Sequence, residues 1–165
     1  MELEAGLAMK ILLLCSFIWV FTSIFATASM SQNDKDDIKM VIEQETAAFM
    51  NVDYKMWSSL WIKTPYAYWS YSDSTGTSYI EGWDNLNKTY QVYFKSARPS
   101  EAEITNHWIA IRVFENGAYV HFIQKQHDEI DQNETSQIRI LEKKDGKWKI
   151  VCVGAIASYP HLKKK

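Results

Sequence analysis

Apolar positions recur along the first half of the chain with helical spacing and along the second half with strand spacing. Ile38, Val41, Ile42, Ala48, Phe49 and Val52 follow an i, i+3, i+4 rhythm, which predicts an amphipathic helix with one buried stripe. Asn33 is a candidate cap, and Asp34, Asp36 and Asp37 would sit at the positive end of its dipole. A second short helix is expected over Asp53 to Trp61, with Trp57, Leu60 and Trp61 on one face and Pro65 closing it. Tyr66 to Ser72 and Thr77 to Glu81 read as short strands around a turn at Asp73 to Gly76. A third helix then carries Leu86, Tyr90, Tyr93 and Phe94 inward, with Asp84 as its cap and Arg98-Pro99 as its stop.

From Glu103 onward the period changes. Long strands are expected over Glu103 to Glu115, Ala118 to Asp128, Thr135 to Lys143 and Lys147 to Ala157. Asn116-Gly117 and Asp145-Gly146 are residue pairs that tolerate positive φ in two-residue hairpin loops. Such loops predict Arg112 opposite His121, Phe114 opposite Tyr119 and Trp108 opposite Lys125, with Ile109, Ile111, Val113, Val120 and Phe122 on the other face. They also predict Arg139 opposite Cys152 and Leu141 opposite Ile150, with Ile138, Ile140, Val151 and Val153 behind. Both faces of the sheet would then be apolar. Three helices cover one face, and a homodimer is the simplest cover for the other.

The N-terminus follows neither period. Ile11 to Phe25 is fifteen residues without a charge, preceded by Lys10 and followed by Ala26-Thr-Ala28. That is the pattern of a secretory signal peptide, with cleavage before Ser29. The run is shorter than the ~20 residues a bilayer-spanning helix needs, so no stable membrane anchor is expected after cleavage. Glu2 and Glu4 precede a basic start at Met9-Lys10, which points to Met9 as the natural start. The organisation read from the sequence is a signal peptide over 1–28, a polar leader over 29–35, one domain over 36–158 and a basic tail over 159–165. The expected location is secreted or periplasmic. Cleavage would leave Cys152 as a lone thiol in an apolar strand, so no internal disulfide is expected.

At 165 residues, 47% hydrophobic and 23% charged, the chain is the size of one domain with a single core. A net charge of −2 offers no broad basic field, which disfavours nucleic acid as a partner. There is no Gly-rich phosphate loop, no His-Glu-x-x-His, no paired Cys ligands and no Gly-x-Ser-x-Gly elbow. No cofactor and no metal site are expected, since the four histidines show no ligand spacing.

Two stretches carry a family resemblance. Ile42-Glu-Gln-Glu-Thr-Ala-Ala-Phe49 leads into Asp53-Tyr-Lys-Met-Trp57, and Arg139 to Val151 pairs a basic strand with an Asp-Gly turn and a Trp-x-Ile strand. Together with Gly82-Trp83 before the third helix, they resemble the opening helices and closing hairpin of the nuclear-transport-factor-2-like superfamily, in particular its SnoaL-like branch. The resemblance implies an α+β, cone-shaped fold in which three N-terminal helices pack on a curved, mostly antiparallel sheet. It also implies a tendency to dimerise through that sheet and, for this chain, an expected setting in a Gram-negative periplasm. Function does not follow from the fold, because relatives include isomerases, dehydratases, epoxide hydrolases, transport adaptors and oligomerisation domains.

The sharpest candidate chemistry is Glu45. At about 100° per residue it lies about 20° from Ile38 and so within the apolar stripe. A carboxylate there must be paired, hydrogen-bonded or shifted upward in pKa. It is a candidate general base, with His121 as the second candidate. The alternative is that Glu45 accepts bonds from a Trp, a Tyr hydroxyl or Arg139. His121 and Arg112 could orient a carbonyl or anion, or lie at a dimer interface or sheet edge. Candidate pocket residues are Trp57, Trp61, Tyr68, Trp69 and Tyr90, together with Trp108, Arg112, Tyr119 and Arg139. Three functions stay open: an exported module binding a small, partly apolar ligand in an aromatic pocket, a cofactor-free isomerase, dehydratase or hydrolase, and a homo-oligomerisation domain with a filled pocket.

Overall fold

The computed structural model describes residues 32–127 and 132–157. The expected signal peptide, the expected start at Met9, residues 29–31 of the expected leader and the expected basic tail lie outside the described residues. The chain divides into Met1–Asp36 and Asp37–Lys165, and the description below concerns the second unit unless stated.

Residues 32–50 are helical (α1), so Asn33 lies inside a helix instead of capping one. Ile38, Val41, Ile42, Glu45 and Ala48 are buried, the stripe the 3.6-residue period requires. Helix α2 spans Tyr54–Ser59 and is capped by Asp53, whose carboxylate accepts from Met56 N at 2.9 Å. It ends two residues short of the expectation, because Leu60 and Trp61 turn to meet the sheet: Ile150 N donates to Leu60 O at 2.8 Å, and Trp61 bridges Ile150. Strands β1 (Tyr68–Asp73) and β2 (Gly76–Glu81) form the first hairpin.

Helix α3 (Trp83–Ser96) follows that hairpin. Its cap is Gly82, with φ 77° and ψ 142°, and Asp84 sits in the first turn. A Cβ at Gly82 would lie 3.3 Å from Pro65 O, so both torsion and space call for glycine here. Gly82→Ala is expected to lower stability by about 1–3 kcal/mol, whereas Gly76→Ala, in open space, meets only the torsional penalty. Thermal unfolding of the two variants checks this, and an unchanged midpoint for Gly82→Ala would show that the backbone relaxes there.

Strands β3 (Glu103–Val113), β4 (Gly117–His127), β5 (Gln132–Lys144) and β6 (Lys147–Ala157) complete a six-stranded sheet of order β2-β1-β6-β5-β4-β3. All neighbours pair antiparallel except β1 and β6. The β5–β6 turn is as expected, with Asp145 and Gly146 both at positive φ (52° and 73°) and Leu141 opposite Ile150. Beyond it a bulge at Val151 shifts the register, so Arg139 faces Val153 and not Cys152. The β3–β4 turn differs: Phe114 and Gly117 exchange backbone hydrogen bonds, so the loop is Glu115-Asn116, one residue earlier than expected. Arg112 therefore pairs with Tyr119, and a bulge at Ile109 then brings Trp108 opposite Phe122 instead of Lys125.

Val120, Phe122, Leu141, Ile150 and Val153 are buried on the face the helices cover, in one core with Ile38, Ile42, Trp57 and Leu86. On the other face Tyr79, Ile140 and Ile156 are exposed, as is Ile109 at its bulge. The protein is thus α+β, with a mostly antiparallel sheet.

Candidate functional site

Helical phase brings Glu45 to the sheet, as the stripe on α1 predicts. Its carboxylate accepts from Trp57 Nε1 at 2.9 Å and lies 3.8 Å from Arg139 Nη2. Both members of this pair are almost fully enclosed, at 7% and 4% exposure, so water does little to screen them. Burial pushes Glu45 above the ordinary carboxylate value of 4.5, opposed by the Arg139 charge and by the indoles of Trp57 and Trp61. The Trp61 N–H approaches the same carboxylate but stops short of hydrogen-bond geometry and has no partner among the described residues. Burial lowers the pKa of Arg139, with Glu45 opposing the shift, and the guanidinium remains charged.

Arg139 is held from the sheet side as well. Its Nη1 donates to Gln137 Oε1 at 2.6 Å, Gln137 Nε2 donates to Thr135 Oγ1 at 2.6 Å, and the guanidinium lies 5.5 Å from the Phe122 ring centre. Its Nε has no partner among the described residues.

The pair forms part of the wall of a partly open cavity of about 170 Å³. Its lining combines the rings of Phe49, Trp57, Trp69 and Tyr90 with the amides of Gln124, Gln126 and Gln137. The rings brace one another: Trp57 is 4.7 Å from Tyr90, and Trp69 meets Tyr90 edge-on at 5.9 Å. Desolvation raises the Tyr90 hydroxyl pKa, and Glu45 adds to the shift.

Of the residues singled out from the sequence, Glu45, Trp57, Trp69, Tyr90 and Arg139 line this cavity. Trp61 is buried behind it, 5.6 Å from Trp57, and Trp108 faces inward against Phe122 at 4.9 Å without reaching the cavity. The remaining four, His121, Arg112, Tyr119 and Tyr68, stand on the opposite sheet face, because they alternate with the buried Ala118, Val120 and Phe122 or pair with outward residues of the next strand. There His121 Nε2 is 3.1 Å from Ser136 Oγ, Arg112 pairs with Tyr119, and Tyr68 stacks on Tyr79. The two candidate general bases are therefore on different faces. Cys152 shares the outer face, and partial burial raises its thiol pKa.

Sequence reasoning missed Gln124, Gln137 and Thr46. The signal was available in the period of two, since Gln137 precedes Arg139 and Gln124 follows Phe122 by two residues on the same strands. No group of three or more His, Cys, Asp or Glu among the described residues could hold a metal, and no helix among them is long and apolar enough to cross a membrane.

No protein-family model and no curated protein sequence matches the chain. Solved structures do. A nuclear-transport-factor-2-like protein of unknown function from Shewanella oneidensis superposes with a TM-score of 0.61 at 16% identity, covering 74% of this chain and 98% of that one. A candidate ketosteroid isomerase from Parabacteroides distasonis gives 0.57 at 19% identity, covering 74% and 88%. A candidate calcium/calmodulin-dependent protein kinase type II association domain from Thiobacillus denitrificans gives 0.59 at 10% identity, covering 73% and 94%. At these identities the likeness is one of architecture, and this chain has the nuclear-transport-factor-2-like fold.

Proposed function

We propose that this chain is an exported, homodimeric module of the SnoaL-like kind that binds a small, uncharged, ring-shaped ligand in the cavity beside Glu45 and Arg139. The cavity carries the reading: about 170 Å³ lined by both rings and amides. An apolar cavity of about 150 Å³ accepts benzene, so one ring is the scale of the bound group. Glu45 and Arg139 neutralise each other, so a charged ligand would lose hydration without gaining a free counter-ion. A carbonyl or hydroxyl could instead bond the Gln side chains. The apolar run Ile11 to Phe25 supports export. The exposed Ile109, Tyr119, Ile140 and Ile156 support a second copy on the outer face.

A second reading rests on the raised proton affinity of Glu45 inside the cavity, which suits a general base in a cofactor-free isomerase, dehydratase or hydrolase. The name of the Parabacteroides neighbour points to such chemistry on a ring-shaped carbonyl compound. Incubation with metabolite extracts followed by native mass spectrometry tests both. The expected result is a dimer retaining a compound of unchanged mass, with retention weakened in Glu45→Gln. A product formed by the wild type and absent with folded Glu45→Gln would establish the enzyme reading. A protein that retains and converts nothing would sink both.

A further inference from the structure

A second cavity of about 390 Å³ lies beside the first, between α1 and the segment leading into β3. Thr46 and Met50 line both, so the two share a wall. That wall is closed by Gln124, whose Nε2 donates to Thr46 Oγ1 at 3.4 Å and to Asn106 Oδ1 at 3.2 Å. Both bonds are at or beyond the long end of the usual range of about 2.7–3.2 Å, so the bar they form is weak. The outer cavity is polar where the inner one is aromatic: Glu43 comes from α1, Asn51 from the turn just after it, and Ser100 and Glu101 from the loop before β3. This loop is pinned to α1 by Ser100 N donating to Met50 O at 2.9 Å, so the outer walls are fixed.

We infer that the two cavities are halves of one ligand site, and that Gln124 is the bar between them. The ligand is an elongated amphiphile: a ring in the inner half, an aliphatic stretch past Gln124, and a polar, non-anionic end in the outer half. A carboxylate end is disfavoured, since it would meet Glu43 and Glu101. Taken together the halves reach the roughly 300–1,000 Å³ of ordinary ligand pockets, which the inner half alone does not. The inference rests on the ligand-binding reading of the inner cavity and extends it to a ligand class.

Benzyl alcohol and 6-phenylhexan-1-ol, titrated against tryptophan fluorescence, test it. The longer probe is expected to bind wild type at least tenfold more tightly, since burial of its five added methylenes outweighs the cost of ordering the chain. Gln124→Ala is expected to raise the preference for the longer probe over benzyl alcohol severalfold further. Ala47→Trp, at an exposed helix position on the outer cavity, is expected to remove the advantage of the longer probe. If benzyl alcohol binds but neither variant alters the longer probe, the cavities are independent and the inference is overturned while the ligand-binding reading stands. If benzyl alcohol fails to bind wild type, the reading of the inner cavity falls, and the extended site with it.

Discussion

Arg139→Met should lower unfolding free energy at neutral pH by about 3–5 kcal/mol, the usual consequence of leaving a buried charge without its partner. The substitution strands Glu45, which is 7% exposed and keeps only the Trp57 N–H as a bonded donor. It also removes the donor that Gln137 Oε1 uses at 2.6 Å. Glu45 is already pushed above its ordinary 4.5 by burial, and Arg139 is the largest influence holding it down. Without the guanidinium its folded-state pKa must rise further. A group whose folded pKa exceeds its unfolded value stabilises fully below the unfolded value and loses that contribution as pH rises through the folded one. The deficit of Arg139→Met should therefore shrink as pH falls toward 4.5 and be widest above the raised value. Adding Glu45→Gln to Arg139→Met should recover much of the loss at neutral pH, because the amide still accepts from Trp57 without carrying a charge. Urea unfolding of the variants at acidic and neutral pH measures all of this. A single variant within about 1 kcal/mol of wild type, independent of pH, would mean that water reaches the pair and screens it.

That pair also shows where the sequence was readable. Glu45 could be placed from helical phase alone, because α1 is regular and its angular arithmetic does not drift over seven residues. The Asp145-Gly146 turn was readable because positive φ at both positions has a chemical signature. The bulges at Ile109 and Val151 have none: neither position is Gly or Pro, and an extra residue in a strand of β-branched side chains leaves the local pattern unchanged. Each bulge exchanges faces for everything beyond it. Val151 moves Cys152 outward and Val153 inward, and Ile109 turns Trp108 to the core. The choice of face for Arg112, Tyr119 and His121 was unreadable for another reason. Both faces of β4 are apolar enough to be buried, and only the packing of α1, α2 and α3 decides which one is.

Trp57→Ala should be as damaging as any single truncation in the core, at about 3–5 kcal/mol. Trp57 is 1% exposed and lies among Trp61, Trp83, Tyr90 and Phe94, with ring centres 4.7 to 6.1 Å away. No neighbour can collapse into the space, since Trp61 is tied to the sheet through its bridge to Ile150 and Tyr90 is wedged against Trp69. Trp57→Phe separates packing from hydrogen bonding. It retains most of the ring volume but removes the 2.9 Å bond to Glu45, and a buried acceptor deprived of its donor is destabilising by about 1–3 kcal/mol. The order of stability expected in urea is wild type, then Trp57→Phe, then Trp57→Ala, with Glu45 titrating higher in both variants because a donor that lowers its pKa is gone. Trp57 therefore does two jobs, packing as a central ring of the core and orienting the acid at the cavity wall. If Trp57→Phe matches wild type in stability and in the pH dependence of unfolding, Glu45 is held by Arg139 alone, and the indole contributes only its volume.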